Sequence, residues 1–87
     1  MAKYVAIITY ANQDRVPETR PAHRAYLGSL KERGQVVVAG PFEGDSGALI
    51  IYEAGTEDEV RRLIAEDPFS RAGVFDQVEL REWTQVF

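Results

Sequence analysis

Apolar positions along the chain follow two rhythms, a period of two and a period near 3.6, and the switches between them mark the elements. From Lys3 to Tyr10 the chain is rich in β-branched and aromatic residues on both alternating sets, Tyr4/Ala6/Ile8/Tyr10 and Val5/Ile7/Thr9. A strand apolar on both faces is covered on both, which predicts a central strand. Asn12 to Pro17 is polar and predicts a loop. Thr19 then offers an N-cap, with Pro21 tolerated in the first turn of a helix running to about Arg33. Gly34 stands where a C-terminal cap belongs, and Leu27 and Leu30 mark the inward face.

The run Val36-Val37-Val38 predicts a second strand over Gln35 to Ala39, and Gly40 to Gly47 carries Gly-Pro and Asp-Ser-Gly turn signals that predict a hairpin. The third strand, Ala48 to Ala54, is again apolar on both faces. Thr56-x-x-Glu59 is a capping box that opens a second helix with Val60, Leu63 and Ile64 as its inward stripe, and Pro68 ends it. From Phe75 to Thr84, Val78 and Leu80 alternate with Gln77, Glu79 and Arg81, a charged pattern suited to a sheet edge. The order is βαββαβ, the ferredoxin-like split βαβ arrangement. Its expected class is α+β with a four-stranded antiparallel sheet of order 4-1-3-2, strands 1 and 3 central. Both helices must cover one face of that sheet. The other face, apolar on strands 1 and 3, would lie open unless a second sheet covered it, so a face-to-face homodimer is expected.

Length and composition narrow this further. At 87 residues, 45% apolar and 28% charged, with no repeat or linker, the chain is expected to form one domain over residues 1–87. A net charge of −4 provides no basic field for phosphate backbones or anionic lipid, which argues against nucleic-acid and membrane partners. The absence of cysteine excludes a disulfide framework, a thiolate nucleophile and a Cys-based metal site. The N-terminal apolar run is too short for a signal-peptide core or a membrane span, so a cytoplasmic location is expected. One histidine with scattered carboxylates has no ligand spacing for a metal, and neither a metal nor a cofactor is expected.

Candidate chemistry collects where this topology brings element ends together. The start of helix 1, the end of helix 2, the C-terminal ends of strands 1 and 2 and the Gly40–Gly47 hairpin share one rim, and His23, Arg20, Asp67 and Ser46 map there. His23 lies four residues before Leu27 and seven before Leu30, on the inward stripe of its helix. It is either a packed histidine bonded to backbone or a proton-transfer group. Asp67 continues the stripe of helix 2 at the unfavourable end of that helix dipole. Asp67-Pro68-x-Ser70 also reads as an N-cap followed by proline at N1, and the two roles are compatible, since a capping carboxylate keeps an oxygen for an imidazole N–H. Arg20, with Arg24 nearby, suggests an anionic or enolate-like ligand, or else a surface pair with Glu18. Ser46 and the hairpin glycines could line a pocket or form a plain turn. Tyr26, Tyr52, Phe69, Phe75 and Trp83 read as core or dimer-interface residues.

The segments Arg20-Pro21-Ala22-His23-Arg24-Ala25-Tyr26-Leu27, Val38-Ala39-Gly40-Pro41 and Asp67-Pro68-Phe69-Ser70-Arg71-Ala72-Gly73-Val74-Phe75 together resemble the YciI-like (YCII-related) family over nearly the whole chain. The resemblance implies a dimeric α+β barrel and an active site built on a His-Asp pair, here His23 and Asp67. Members with an assigned activity break down small molecules, including by dehydrohalogenation of chlorinated hydroxyquinones. Two functions follow as expectations. One is a cofactor-independent lyase or isomerase in which His23 transfers a proton, Asp67 orients it, and Arg20 with the helix N-terminus holds developing negative charge on a small-molecule ligand. The other is a non-catalytic small-molecule-binding or dimerisation module.

Overall fold

A computed structural model describes all 87 residues. The elements are β1 (Ala2–Tyr10), α1 (Val16–Glu32), β2 (Val36–Pro41), β3 (Gly47–Ala54), α2 (Glu57–Glu66), a one-turn α3 (Pro68–Arg71) and β4 (Phe75–Trp83). Short 3₁₀ turns lie at Gln13–Arg15 and Glu43–Asp45. The four strands form one antiparallel sheet of order β2-β3-β1-β4, the expected 4-1-3-2 seen from its other edge.

Alternation along β1 and β3 sorts their side chains into two layers. Tyr4, Ala6, Ile8 and Tyr10 of β1, and Ala48, Ile50, Tyr52 and Ala54 of β3, are buried in the core with Leu30 of α1 and with Val60, Leu63 and Ile64 of α2. Tyr26 fastens the two long helices to each other, its hydroxyl donating to the Leu63 carbonyl at 2.6 Å. Burial, with the charges of Glu66 and then Asp67, pushes that phenol up to about 12, so it remains a donor at neutral pH.

The opposite face of the sheet has no helix against it. The pairs Val5↔Ile51 and Ile7↔Leu49 stand directly across from one another there, with Val38 beside Ile51 and Trp83 beside Lys3. Ile7 is 39% exposed, Trp83 41% and Val38 52%. The chain therefore presents a contiguous apolar surface on an otherwise acidic protein.

Two boundaries differ from expectation. Thr19 caps nothing: α1 begins at Val16, three residues earlier, because Asn12 adopts a left-handed conformation and the 3₁₀ turn behind it runs straight into the helix. Pro17 sits in the first turn, where its missing N–H has no intrahelical acceptor to lose, and Pro21 lies inside the helix. The second strand also extends past Ala39 to Pro41. A bulge between Val36 and Val38 shifts its register, and pairing with β3 carries it through Gly40 and Pro41. Pro41 is tolerated because β2 is an edge strand.

The other predicted caps, Gly34 and the Thr56–Glu59 box, are where expected. Gly34 takes φ +77°, the Gln35 N–H donates back to the Leu30 carbonyl, and α1 ends. Gly47 is fixed by close approach, since a Cβ at that position would collide with the Ile8 carbonyl across the sheet. At the start of α2 the Thr56 hydroxyl accepts from the Glu59 N–H at 3.2 Å, and the Glu59 carboxylate accepts from the Gly55 N–H at 3.3 Å. Thr56→Ala is expected to cost about 1 kcal/mol of unfolding free energy in urea titrations. A loss too small to measure would mean that the apolar stripe alone holds α2 in place.

Candidate active site

Asp67 ends α2 and begins α3, and that double position explains its geometry. Its Oδ1 accepts the Phe69 N–H at 2.9 Å, capping α3, with Pro68 supplying the preset φ at the first helical position. The same carboxylate meets His23 from α1: Nδ1 lies 2.8 Å from Oδ1 and 3.0 Å from Oδ2. Asp67 is wholly buried and His23 is 6% exposed. Capping and imidazole binding thus coexist in one side chain, which offsets its position at the negative end of α2.

The imidazole is also fixed in its plane. The Phe69 ring stacks on it with centroids 3.9 Å apart and planes 12° from parallel, and the Phe75 ring meets it edge-on at 6.1 Å. With Nδ1–H donated to the carboxylate, the neutral ring carries its lone pair on Nε2, which has no protein partner. His23 lines a cavity of about 430 Å³ between α1 and strands β2 and β3. Its wall is apolar along Leu27, Val36, Ala48 and Ile50, and it includes Tyr10, Arg20, Arg24 and Lys31.

Arg20 does not pair with Glu18, which instead takes Arg15 at 2.8 Å. Arg20 reaches the hairpin and holds Asp45 Oδ1 at 2.7 Å with its side chain 27% exposed. Asp45 sits at φ +55° after Gly44 at +83°, and its carbonyl accepts from Gln13 Nε2 at 3.0 Å, so the hairpin is latched to the segment leading into α1. Because α1 begins at Val16, its free N–H groups lie a turn before Arg20, and the wall is charged by side chains. Ser46 is exposed and outside the cavity wall; its carbonyl accepts the Tyr10 N–H at 2.9 Å. Gly40 lines the cavity, while Gly44 and Gly47 do not. No group of three or more His, Cys, Asp or Glu side chains converges in the fold. No helix is long and apolar enough to cross a membrane.

Two aromatic residues, Phe69 and Tyr10, line the cavity beside His23, and a third, Tyr52, is buried within reach of the Asp67 charge; composition and pattern marked none of them for chemistry. Phe69 holds the imidazole plane. Tyr52 lies fully buried with its hydroxyl unpartnered, and burial together with the negative charge of Asp67 raises its pKa well above the usual phenol range. Tyr10 packs edge-on against Phe69 at 5.4 Å and stacks with Phe75 at 6.2 Å, at the end of β1 beside His23. Burial raises its pKa as well, partly opposed by Arg20. The sequence signal for Tyr10 was its place at the C-terminal end of a central strand, on the rim that carries the other candidates.

Comparison with known proteins matches this arrangement to one family. The family model of the YCII-related domain covers residues 2–84. The chain is 30% identical over 78 residues to the Protein YciI of Escherichia coli, covering 78% of this chain and 80% of that one. It is 35% identical over 74 residues to the derivative of benzaldehyde biosynthesis cluster protein C of Emericella nidulans, covering 72% of each. Among solved structures it is similar to the 5-chloro-2-hydroxyhydroquinone dehydrochlorinase TftG of Burkholderia phenoliruptrix in complex with 2,5-dihydroxybenzoquinone. The TM-score is 0.82 at 29% identity, over 94% of this chain and 93% of that one.

Proposed function

We propose that this chain, which belongs to the YCII-related family, is a cytoplasmic, homodimeric, cofactor-independent enzyme that moves a proton on a small metabolite by lyase or isomerase chemistry. The observation that carries this reading is the buried His23–Asp67 pair, with one imidazole nitrogen committed to the carboxylate and the other left for the cavity. Asp67 holds the tautomer in which Nε2 is the base and stabilises the imidazolium formed when it takes a proton. The base removes a proton from a carbon beside a carbonyl. The electron pair of the broken C–H bond delocalises as an enolate, and Arg20 at the cavity wall, through the guanidinium N–H groups that Asp45 does not take, lowers the energy of that charge. In the isomerase case the imidazolium returns the proton to a different atom. In the lyase case the electron pair forms a C=C bond and expels a leaving group from the neighbouring carbon. TftG is by its name a dehydrochlorinase, an enzyme of the second kind. Ser46 is a substrate-binding residue only if the hairpin turns its side chain inward on binding.

The homodimer is supported by the uncovered sheet face, whose apolar pairs would otherwise meet water. The chemistry is tested by incubating the protein in D₂O with a panel of enolisable ketones and hydroxyquinones and following deuterium incorporation by mass spectrometry. Exchange well above the buffer rate is expected for at least one compound. If compounds bind saturably and none exchanges, the chain is a small-molecule-binding module and the proton-transfer reading fails.

A further inference from the structure

Apart from His23, whose Nδ1–H is held by Asp67 and whose Nε2 presents a lone pair, every polar side chain on the wall of the cavity is a hydrogen-bond donor or can act as one. Tyr10, Arg20, His23, Arg24 and Lys31 supply hydroxyl, guanidinium, imidazole and ammonium groups, and no carboxylate, amide or aliphatic hydroxyl side chain joins them. The chain as a whole carries a net charge of −4, so a cavity wall bearing three cations and no anion runs against the composition of the molecule. Two of those cations are committed elsewhere, Arg20 to Asp45 and Lys31 to the Val37 carbonyl at 2.8 Å. Arg24 has no ion pair or hydrogen bond. The Tyr10 side chain, on a residue only 9% exposed, also has no hydrogen-bond partner, yet its oxygen is not sealed from solvent. The Tyr10 ring is fixed between Phe69 and Phe75, so its hydroxyl is pre-positioned at the cavity wall with its donor free for a ligand oxygen.

The positions along α1 give this set a direction. Arg20, Arg24 and Lys31 fall at i, i+4 and i+11 on the side of the helix that faces β2, and at 1.5 Å per residue they span about 16 Å. His23 lies at the Arg20 end, next to Tyr10. Arg24, one turn on, is the nearest cation without a partner.

We infer that the substrate enters this cavity already carrying a negative charge on oxygen, carboxylate or phenolate, which Arg24 pairs while the Tyr10 hydroxyl donates to a ligand oxygen beside the carbon presented to His23. This rests on the proton-transfer reading for its orientation but not for its selectivity. Apart from the His23 Nε2 lone pair, which meets the carbon acid, a wall of three cations and a hydroxyl with no carboxylate favours an acceptor-rich anion over its neutral counterpart.

Binding to the full-length protein measures this directly with two matched pairs of probes. The phenolate arm compares 2,5-dihydroxybenzoquinone with its neutral dimethyl ether, and the carboxylate arm compares 2,5-dihydroxybenzoate with the corresponding amide. The anionic member of at least one pair is expected to bind at least about tenfold more tightly. Arg24→Gln should remove about tenfold of that affinity and weaken its salt dependence, with the neutral member unchanged; Arg24 is exposed, so the fold should tolerate the change. Tyr10→Phe should cost about threefold to tenfold for the same probe. The arm that shows the preference identifies the charged group. Equal affinities within both pairs, a preference untouched by Arg24→Gln, or no binding of any probe would each overturn the inference. An anionic preference lost in Arg24→Gln without any proton exchange would leave the inference standing and sink the catalytic reading. Exchange on neutral carbonyl compounds with no anionic preference would do the reverse.

Discussion

Asp67→Asn is expected to lower the rate of proton exchange by about 10²- to 10⁴-fold while leaving the chain folded. In the native pair, Oδ1 accepts both the Phe69 N–H and the imidazole, and Oδ2 also lies within 3.0 Å of Nδ1. An amide can supply only one oxygen. If that oxygen takes the Oδ1 position, the cap and the 2.8 Å contact to Nδ1 survive but an NH₂ stands 3.0 Å from the Nδ1–H, donor against donor; if it takes the other, the NH₂ faces the Phe69 N–H. The least costly escape keeps the cap and moves the imidazole proton to Nε2, so that Nδ1 accepts from the amide. The base then points its lone pair at the substituted amide instead of into the cavity, a tautomer error with little change in shape. Asp67→Ala should differ in kind, because it strips the cap from α3 and leaves the buried Nδ1–H unpaired. Together these losses should cost about 3 kcal/mol of stability. Urea titrations and exchange rates on both variants separate the two effects. Native exchange rates in a folded Asp67→Asn protein would remove His23 from the role of base.

The meeting of His23 and Asp67 was legible in the sequence because it depends on topology and periodicity alone. The split βαβ order places the start of α1 and the end of α2 on one rim, and helical spacing turns both residues inward. The contact between Arg20 and Asp45 was not legible. It requires a non-glycine residue in the left-handed region after Gly44, a backbone choice that no residue pattern in the hairpin specifies. The start of α1 was misplaced for a related reason. Thr19 has the chemistry of a cap, but the turn that begins the helix is set by Asn12, whose side-chain amide donates to the Gly73 carbonyl at 2.9 Å from the far end of the chain. Long-range contact overrode local propensity there, as pairing with β3 did when it carried β2 through Gly40 and Pro41. The aromatic residues were recognised as packing residues, which they are. Their second role appears only when α3 sets Phe69 flat against the imidazole.

The largest effect on assembly is expected from a single charge on the open sheet face. Ile7→Arg places a guanidinium directly across from Glu79 on β4, a favourable cross-strand pair, and replaces a side chain already 39% exposed, so the isolated chain should lose little stability. In a face-to-face homodimer the outcome is different. Two-fold symmetry doubles every substitution, and each copy would bury an arginine against the apolar surface formed by Val5, Leu49 and Ile51 of the sheets. Desolvating two cations, each with only the Glu79 carboxylate of its own sheet beside it, should cost several kcal/mol, enough to weaken association by about 10³-fold or more. Sedimentation velocity at micromolar concentration should therefore show a dimer for the native chain and a folded monomer for the variant. The cavity lies on the helix-covered side of the sheet, so the monomer should retain anion binding even where exchange falls. A monomeric native chain, or a variant that dimerises with native affinity, would mean that the apolar face serves some other contact. The uncovered pairs Val5↔Ile51 and Ile7↔Leu49 would then need a different explanation.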